Sequence, residues 1–413
     1  MSREGSPAVL RSAPRRSAPR HGPLGDGGRI RTAILGLGKV AHTHARALGV
    51  VPESDFVAVC SRDAARAAEF AAQYGVSAYA DLGAMIRDAA VQAVIICTPH
   101  PFHALPAIEA AEAGVHVLVE KPLAVSLKDC DAMLAAAAHA RVKMGVVTQR
   151  RLYEPVQRVW SAIQAGKIGQ PLLGELVMLS WRDQAYYQAD AWRGTWDGEG
   201  GGVLANQAPH QIDLLQWFLG PVDELFGYWD NLNHPYIDVE DSAVAVLRFK
   251  SGAIGSIVVS NSQKPGIYSK VHVHGSNGAS VGVQPDGGAM FIAGMSEVLE
   301  PPVNDLWTVP GEEAQLPRWQ EEDRAMFGRI QASTHYHRLL DQDFLRAILD
   351  HREPLVPGIE GRKVCEITTA IYRAQRDGRP VKFPLDAAEG AEHFDGRLSA
   401  GPHGPRRPGQ PLP

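Results

Sequence analysis

The run Ile30-Arg31-Thr32-Ala33-Ile34-Leu35-Gly36-Leu37-Gly38-Lys39-Val40-Ala41 joins a short apolar segment to a pair of glycines. The apolar residues predict a buried strand, Gly36-x-Gly38-x-x-Ala41 a tight turn, and His42 to Leu48 the helix after it. Gly36 can take the backbone angles such a turn demands, Gly38 lets the main chain approach a pyrophosphate, and Ala41 lets helix pack close to strand. The helix N-terminus, with Lys39 and Val40 in the turn that leads into it, would then face an anion. Glycine pairs also occur in ordinary strand-to-helix turns, so the rest of the chain has to support the phosphate reading.

Phe56 to Cys60 predicts a second strand, followed by Ser61-Arg62-Asp63 where a dinucleotide domain meets the adenosine ribose. The acid expected for NAD is missing at that point. A serine hydroxyl and a guanidinium suit a 2′-phosphate, which favours NADP over NAD. Ser61 could equally cap the helix from Ala64 to Tyr74, with Arg62 solvated, and Asp63 could still reach a ribose. Further strands at Gln92–Cys97 and Val115–Val119 end in Thr98-Pro99-His100-Pro101-Phe102-His103 and Glu120-Lys121-Pro122. Strands alternating with helices imply a parallel sheet whose ligands gather at the carboxyl ends of the strands. The expected cofactor-binding set is therefore Gly36, Gly38, Lys39, Val40, Ser61, Arg62, Thr98, Pro99, His100, His103, Glu120 and Lys121. A lysine beside a nicotinamide can also donate to a substrate oxygen, with burial lowering its pKa toward the working range.

Composition narrows the class. With 413 residues, 45% hydrophobic and 21% charged, the chain fits two globular domains. A net charge of -5 spread along the chain points to neither nucleic acid nor membrane as partner. Cys60, Cys97, Cys130 and Cys365 lack metal or disulfide spacing, which suits a reducing cytoplasm. Residues 1–29 and 387–413 are rich in Arg, Pro, Ser and Gly and are expected to be disordered tails. Arg15-Arg16 lacks the apolar core of a twin-arginine signal, so the first stretch reads as a tail or an upstream start.

Gly36-x-Gly38-x-x-Ala41, Thr98-Pro99-x-x-x-His103 and Glu120-Lys121-Pro122, in this order and spacing, resemble the Gfo/Idh/MocA oxidoreductase family. The resemblance spans about Ile30 to Pro384. It implies an α/β fold with a Rossmann domain over 30–149. A substrate-binding and oligomerisation domain over 150–386 would be built on a large, open-faced, mostly antiparallel sheet. The implied function is NAD(P)-dependent hydride transfer at a hydroxyl or keto carbon of a sugar, cyclitol or sugar derivative. Two alternatives are a glycoside-cleaving enzyme that oxidises its substrate transiently, and a non-catalytic NAD(P)-sensing regulator. Retention of both a lysine and a histidine at the family's catalytic positions argues against the regulator. By resemblance, Lys121 is the family's lysine and His210 its proton-transfer histidine.

The second half supplies the substrate candidates Lys121, Arg150, Tyr153, Trp192, Arg193, Asn206 and His210. Family members often carry an arginine or aromatic residue where Arg150, Arg151 and Tyr153 stand, although solvated helix-end charges would explain the arginines too. Aromatic rings interleaved with Arg193 suit a polyol, whose C–H faces stack while its hydroxyls need donors and acceptors. His210 opens a helix, Pro209 to Leu219, and an imidazole can take an alcohol proton near neutrality. Inositol-dehydrogenase-like members have an aspartate where Asn206 stands. Asparagine can orient the His210 ring but cannot offset an imidazolium, so inositol is doubtful as substrate and Asp213 is the spare carboxylate.

Asp241–Phe249, Ala253–Ser260, Lys270–His274 and Ala279–Val283 predict half-exposed antiparallel strands, with an Asn277-Gly278 hairpin. Their open face suits self-association into a homodimer or homotetramer. His42-Thr43-His44, His272-Val273-His274 and His335-Tyr336-His337 invite a metal, but the spacings lack a carboxylate or cysteine set and no metal site is expected. Leu306–Phe327 reads as an irregular acidic insertion, and His335–Leu349 and Gly361–Arg376 as closing helices.

Overall fold

The structure, a computed structural model, describes residues 28–287 and 300–385. The expected tails therefore lie almost wholly outside the described residues. The first domain runs β1 Ile30–Leu35, α1 Lys39–Leu48, β2 Ser54–Cys60, α2 Ala64–Tyr74, β3 Ser77–Tyr79, α3 Leu82–Asp88, β4 Ala93–Ile96, α4 Ala104–Glu112, β5 His116–Val119, α5 Leu127–Ala140 and β6 Met144–Val146. Its strands pair in parallel in the order β3-β2-β1-β4-β5-β6, the doubly wound arrangement with a crevice where the order reverses between β1 and β4. β4 and β5 are buried throughout, as continuous apolar runs covered on both faces should be.

The second part contains α6 Glu154–Gln164, β7 Pro171–Leu179, α7 Gln184–Gln188, α8 Trp196–Glu199, α9 Pro209–Leu219, β8 Val222–Asp230, β9 Ser242–Phe249, β10 Ile254–Ser260, β11 Tyr268–Gly275, β12 Ser280–Gly287 and β13 Val303–Trp307. It closes with α10 Gln315–Phe327, α11 Ala332–Leu349, α12 Gly358–Asp377 and β14 Val381–Lys382. Eight strands form one sheet, β13-β12-β11-β7-β10-β9-β8-β14, antiparallel except where β10 runs alongside β7. Helices α6, α9 and α12 pack on one face. Among the described residues the other is open: in β9 Ala243, Ala245, Leu247 and Phe249 point into the core, while Val244, Val246 and Arg248 point out, with the period of two that a half-covered strand requires.

One expectation needs correction, and two others gain detail. Leu306–Phe327 is no irregular insertion, because β13 supplies the sheet's edge and α10 follows it, with Trp319 set against Trp307 and Arg158 paired with Asp323. The hairpin after β11 forms as expected, β11 pairing antiparallel with β12, and its positive φ falls on Gly278, whose N–H donates to the Gly275 carbonyl. Contacts also bridge the two parts on either side of residue 149. Helix α11 packs on α1, and the segment before α12 reaches β6, where Val146 N–H donates to Val356.

Candidate active site

The glycine turn has the predicted shape. Gly36 has φ +87° and sits so close to the end of β4 that a Cβ there would lie 2.6 Å from the Thr98 nitrogen, so only glycine fits. Gly38 precedes α1 without a side-chain cap, and a Cβ built on it would meet nothing within 4 Å. Bare first-turn N–H groups beside open space fit a dinucleotide's pyrophosphate. Lys39 reaches across to Asp190 of the second part at 3.5 Å, and Arg193 holds the same carboxylate at 3.1 Å. The loop after α7 is thereby pinned over the glycine turn.

At the end of β2, Asp63 caps α2 by accepting from the Arg66 N–H, while Ser61 Oγ accepts from the Asp63 N–H. The cap is therefore Asp63, not Ser61. Arg62 is exposed and lies over the Phe102 ring, 5.7 Å from its centroid. The neighbouring strand end is shaped by Thr98, whose hydroxyl donates to the Phe102 carbonyl, and by Pro99, which leads into a single turn over His100–Phe102.

Two expected cofactor ligands have other duties. His103 is buried with its ring nitrogens on the carbonyls of Thr98 and Pro122, so it clamps two strand ends together and has no ring nitrogen left for a cofactor. Glu120 points away from the crevice into a buried cluster. His44 Nε2 lies 3.1 Å from it, His44 Nδ1 lies 3.0 Å from Asp341 of α11, and His337 Nε2 approaches at 3.8 Å. The carboxylates that the histidine pairs lack in sequence spacing are supplied here by folding. One histidine from each of two pairs meets Glu120, with ligand atoms within 4.8 Å of one another. His44 spends both ring nitrogens on carboxylates, and despite its burial they raise its pKa to about 10, while His44 helps hold Glu120 down at about 2. This is the chemistry of a buried ion pair. His100, also buried, places Nδ1 on the Glu199 carbonyl and its ring against Trp192.

Lys121 stands at the mouth of the crevice. Its ammonium donates to the backbone oxygen of Asn206 at 2.9 Å and to Oδ1 of the same residue at 3.1 Å. Burial lowers its pKa to about 8, with Arg150 and Arg193 adding to the effect and Glu120 and Glu199 opposing it. Asn206 belongs to a buried π-type turn, 203–207, that leads into α9, and one turn later comes His210. His210 is buried, its Nδ1 has no hydrogen-bond partner, and burial together with the charges of Arg150 and Lys121 pulls its pKa well below 6.5. The lysine from the first domain and the histidine from the second thus share one electrostatic neighbourhood.

Asn206 is not the orienter of His210. Its amide nitrogen donates to Glu199 and to the Tyr186 hydroxyl, and its oxygens face Lys121. Asp213 does not serve His210 either, because it takes a two-pronged bond from Arg151 at 2.6 and 2.7 Å. Arg151 also holds Glu360, so it ties α9 to α12. Arg150 Nε and Nη2 are held by Asp286, which also takes Gln211, and the Arg150 guanidinium also lies against the Tyr153 hydroxyl, while Gln211 Oε1 is buried without a partner among the described residues. Tyr153 packs on Tyr336, beside Arg150. Trp192 and Tyr186 both lie under the Arg193 guanidinium. A buried polar atom left unpaired is costly, so His210 Nδ1 and Gln211 Oε1, beside the Arg150 guanidinium, fit a polar molecule with several hydroxyls.

Sequence reasoning missed Glu199 and Asp286, whose partners become neighbours only on folding, and Asp190, which joins nearby Arg193 to distant Lys39. The one local signal was Gly200-Gly201-Gly202, where a Cβ on Gly202 would collide with the Glu240 backbone.

The comparisons agree with this geometry. Residues 30–148 match the oxidoreductase family with an NAD-binding Rossmann fold, and residues 156–281 the GFO/IDH/MocA C-terminal domain. The chain is 32% identical over 257 residues to myo-inositol 2-dehydrogenase of Thermotoga maritima, covering 60% of this chain and 74% of that protein. It is 29% identical over 371 residues to the NAD(+)-dependent scyllo-inositol 2-dehydrogenase of Bacillus subtilis, covering 87% and 98%. The crystal structure of the WlbA dehydrogenase from Chromobacterium violaceum with NADH and UDP-GlcNAcA superposes with a TM-score of 0.74 at 30% identity, covering 88% of this chain and 99% of that one. Glycine turn, lysine, histidine and open-faced sheet together carry the conclusion that this chain is an oxidoreductase of the Gfo/Idh/MocA family.

Proposed function

We propose that the protein transfers hydride between a nicotinamide dinucleotide and a CH–OH or keto carbon of a sugar, cyclitol or sugar derivative. The observation that carries the reading is the meeting of Lys121 with the Asn206–His210 segment at the mouth of the glycine-turn crevice. The cofactor, held by the α1 N-terminus and the Gly38 opening, supplies the hydride acceptor or donor. Lys121 as an ammonium holds the reacting oxygen and stabilises negative charge that develops there. His210, kept neutral by its surroundings, accepts the hydroxyl proton through its open nitrogen and passes it on. The Arg150 guanidinium and Gln211 Oε1 meet neighbouring hydroxyls, with Tyr153, Trp192 and Arg193 lining the same side.

Ser61 and Arg62 favour NADP, since Asp63 is spent on capping α2 and no other acid follows β2 directly. Four buried, unpaired cysteines suit the cytoplasm. The open sheet face, with Tyr228, Val244, Val246 and Ile254 exposed, suits a second copy of the chain in a homodimer or tetramer.

The test is a turnover screen with NAD and NADP across aldoses, nucleotide sugars, inositols and their keto forms, repeated with Lys121→Ala. The substitution is expected to leave cofactor affinity nearly intact and to cut turnover about a thousandfold. Unchanged rates would remove Lys121 from the mechanism. In the same screen Arg62→Ala should erase a preference for NADP, and a preference that persists would remove the guanidinium from cofactor choice.

A further inference from the structure

An asparagine beside Lys121 brings no net charge, and a primary amide can offer a neighbour either its oxygen or its NH2. An NH2 turned toward an ammonium would repel it. In this protein the oxygen faces Lys121, at 3.1 Å. The residue behind the amide explains why. Asn206 Nδ2 donates to Oε1 of Glu199, and an ionised carboxylate can only accept, so the two ends of the amide cannot exchange. Tyr186 lies 3.2 Å from the same nitrogen. Glu199 is itself fixed: it is wholly buried at the end of α8, and its Oε2 takes the Gly194 N–H at 2.6 Å.

We propose that Glu199 is a positioning residue for the reaction, one that acts through Asn206 to aim an amide oxygen and a nearby negative charge at Lys121, keeping that lysine an ammonium. The inference rests on the catalytic reading of Lys121 given above and adds the group that supports it. Lys121 is faced by Glu120 before it, Arg150 beyond β6, His100 after β4, His210 on α9, and Arg193 and Glu199 from the loop. Glu199 is faced by Arg193 and Lys121, by Tyr186 and Tyr187 on α7, and by Tyr372 on α12. Arg150 and Arg193 push Lys121 toward its neutral form, and Glu199 opposes them from behind the amide. The carboxylate that an inositol-dehydrogenase-like chain would carry at position 206 is here moved back by one side chain.

The experiment titrates Lys121 directly and needs no substrate. Protein carrying 15N-labelled lysine is followed by NMR from pH 5 to 11, with the Lys121 Nζ resonance assigned by its loss in Lys121→Arg. Glu199→Gln should lower the Lys121 pKa by about half a unit or more, and adding Asn206→Asp should bring it back, because a charge at either position serves the lysine. NADH affinity, read by nicotinamide fluorescence, should stay within about threefold of the parent, a free-energy change well under 1 kcal/mol. In the unsubstituted protein the Lys121 resonance should show a second, smaller inflection near pH 6, where burial places the Glu199 carboxyl. A Lys121 pKa unmoved by Glu199→Gln would overturn the proposal. Full turnover in Lys121→Ala with the electrostatic link intact would instead overturn the functional reading alone.

Discussion

Lys121 and His210 are tuned in the same direction by burial, with different consequences. The lysine falls to about 8 and the imidazole well below 6.5, so near neutrality the first is still mostly charged and the second is neutral. Because a lowered lysine pKa means charge is lost as pH rises, turnover of the substrate found in the screen should hold across neutral pH and decline above about 8. A log kcat profile from pH 6 to 10 checks this, and Lys121→Arg should remove the alkaline limb, since guanidinium stays charged throughout. A wild-type rate flat to pH 10 would mean that the Lys121 proton is not needed. The positions of these two residues, at a strand end and at a helix start, were legible in the sequence, and the roles proposed for them came from the family resemblance. The assignment of Asn206 to His210 failed because proximity along α9 says nothing about a carboxylate seven residues upstream that folds behind the amide. Arg150 and Arg151, adjacent in sequence, diverge to Asp286 and Asp213 for the same reason.

Helices α1 and α11 are joined through charge as much as through apolar contact. His44 on α1 bridges Glu120 after β5 and Asp341 on α11, while Arg346 of α11 reaches Glu53 just before β2. Removing the imidazole would leave two buried carboxylates facing each other. His44→Gln should therefore cost about 3 kcal/mol of stability or more at pH 7, measured by denaturant unfolding. Since the folded pKa of His44 is raised to about 10, the stabilisation is complete below about pH 6.5 and fades as pH climbs toward 10, so the gap between parent and variant should narrow over that range. A gap that is constant from pH 6 to 10 would mean that the ring is neutral in the native state. The alternation of strands and helices announced every element of the parallel sheet's centre, yet α10 escaped notice. Its half-buried Leu316 and Trp319 are flanked by acids, and only the Arg158–Asp323 pair and the Trp307 ring turn that pattern into a packed helix.

In the molecule as a whole, the described residues cover the eight-stranded sheet on one side only. On the other, Tyr228, Val244 and Val258 lie side by side across β8, β9 and β10, with Phe226, Val246 and Ser256 in the next row. Val246→Asp places a charge in the middle of that surface without touching the core. Sedimentation velocity should show the parent as a dimer or tetramer and the variant as a monomer with unchanged circular dichroism. Identical sedimentation of the two would clear this face of any role in assembly. The two-part plan was legible from where the glycine turn and the strand-rich second half fall. The crossing of that boundary by α11 was not, since an amphipathic stripe does not name the surface it will cover. A ribosome releases the glycine-turn half well before it reaches Asp341, so during synthesis His44 lacks one of its two carboxylates and the flank of α1 stays bare. Newly made chains pass through an interval in which a holdase could grip that flank, and truncated transcripts ending before α11 would yield a nucleotide fold that never acquires its lining.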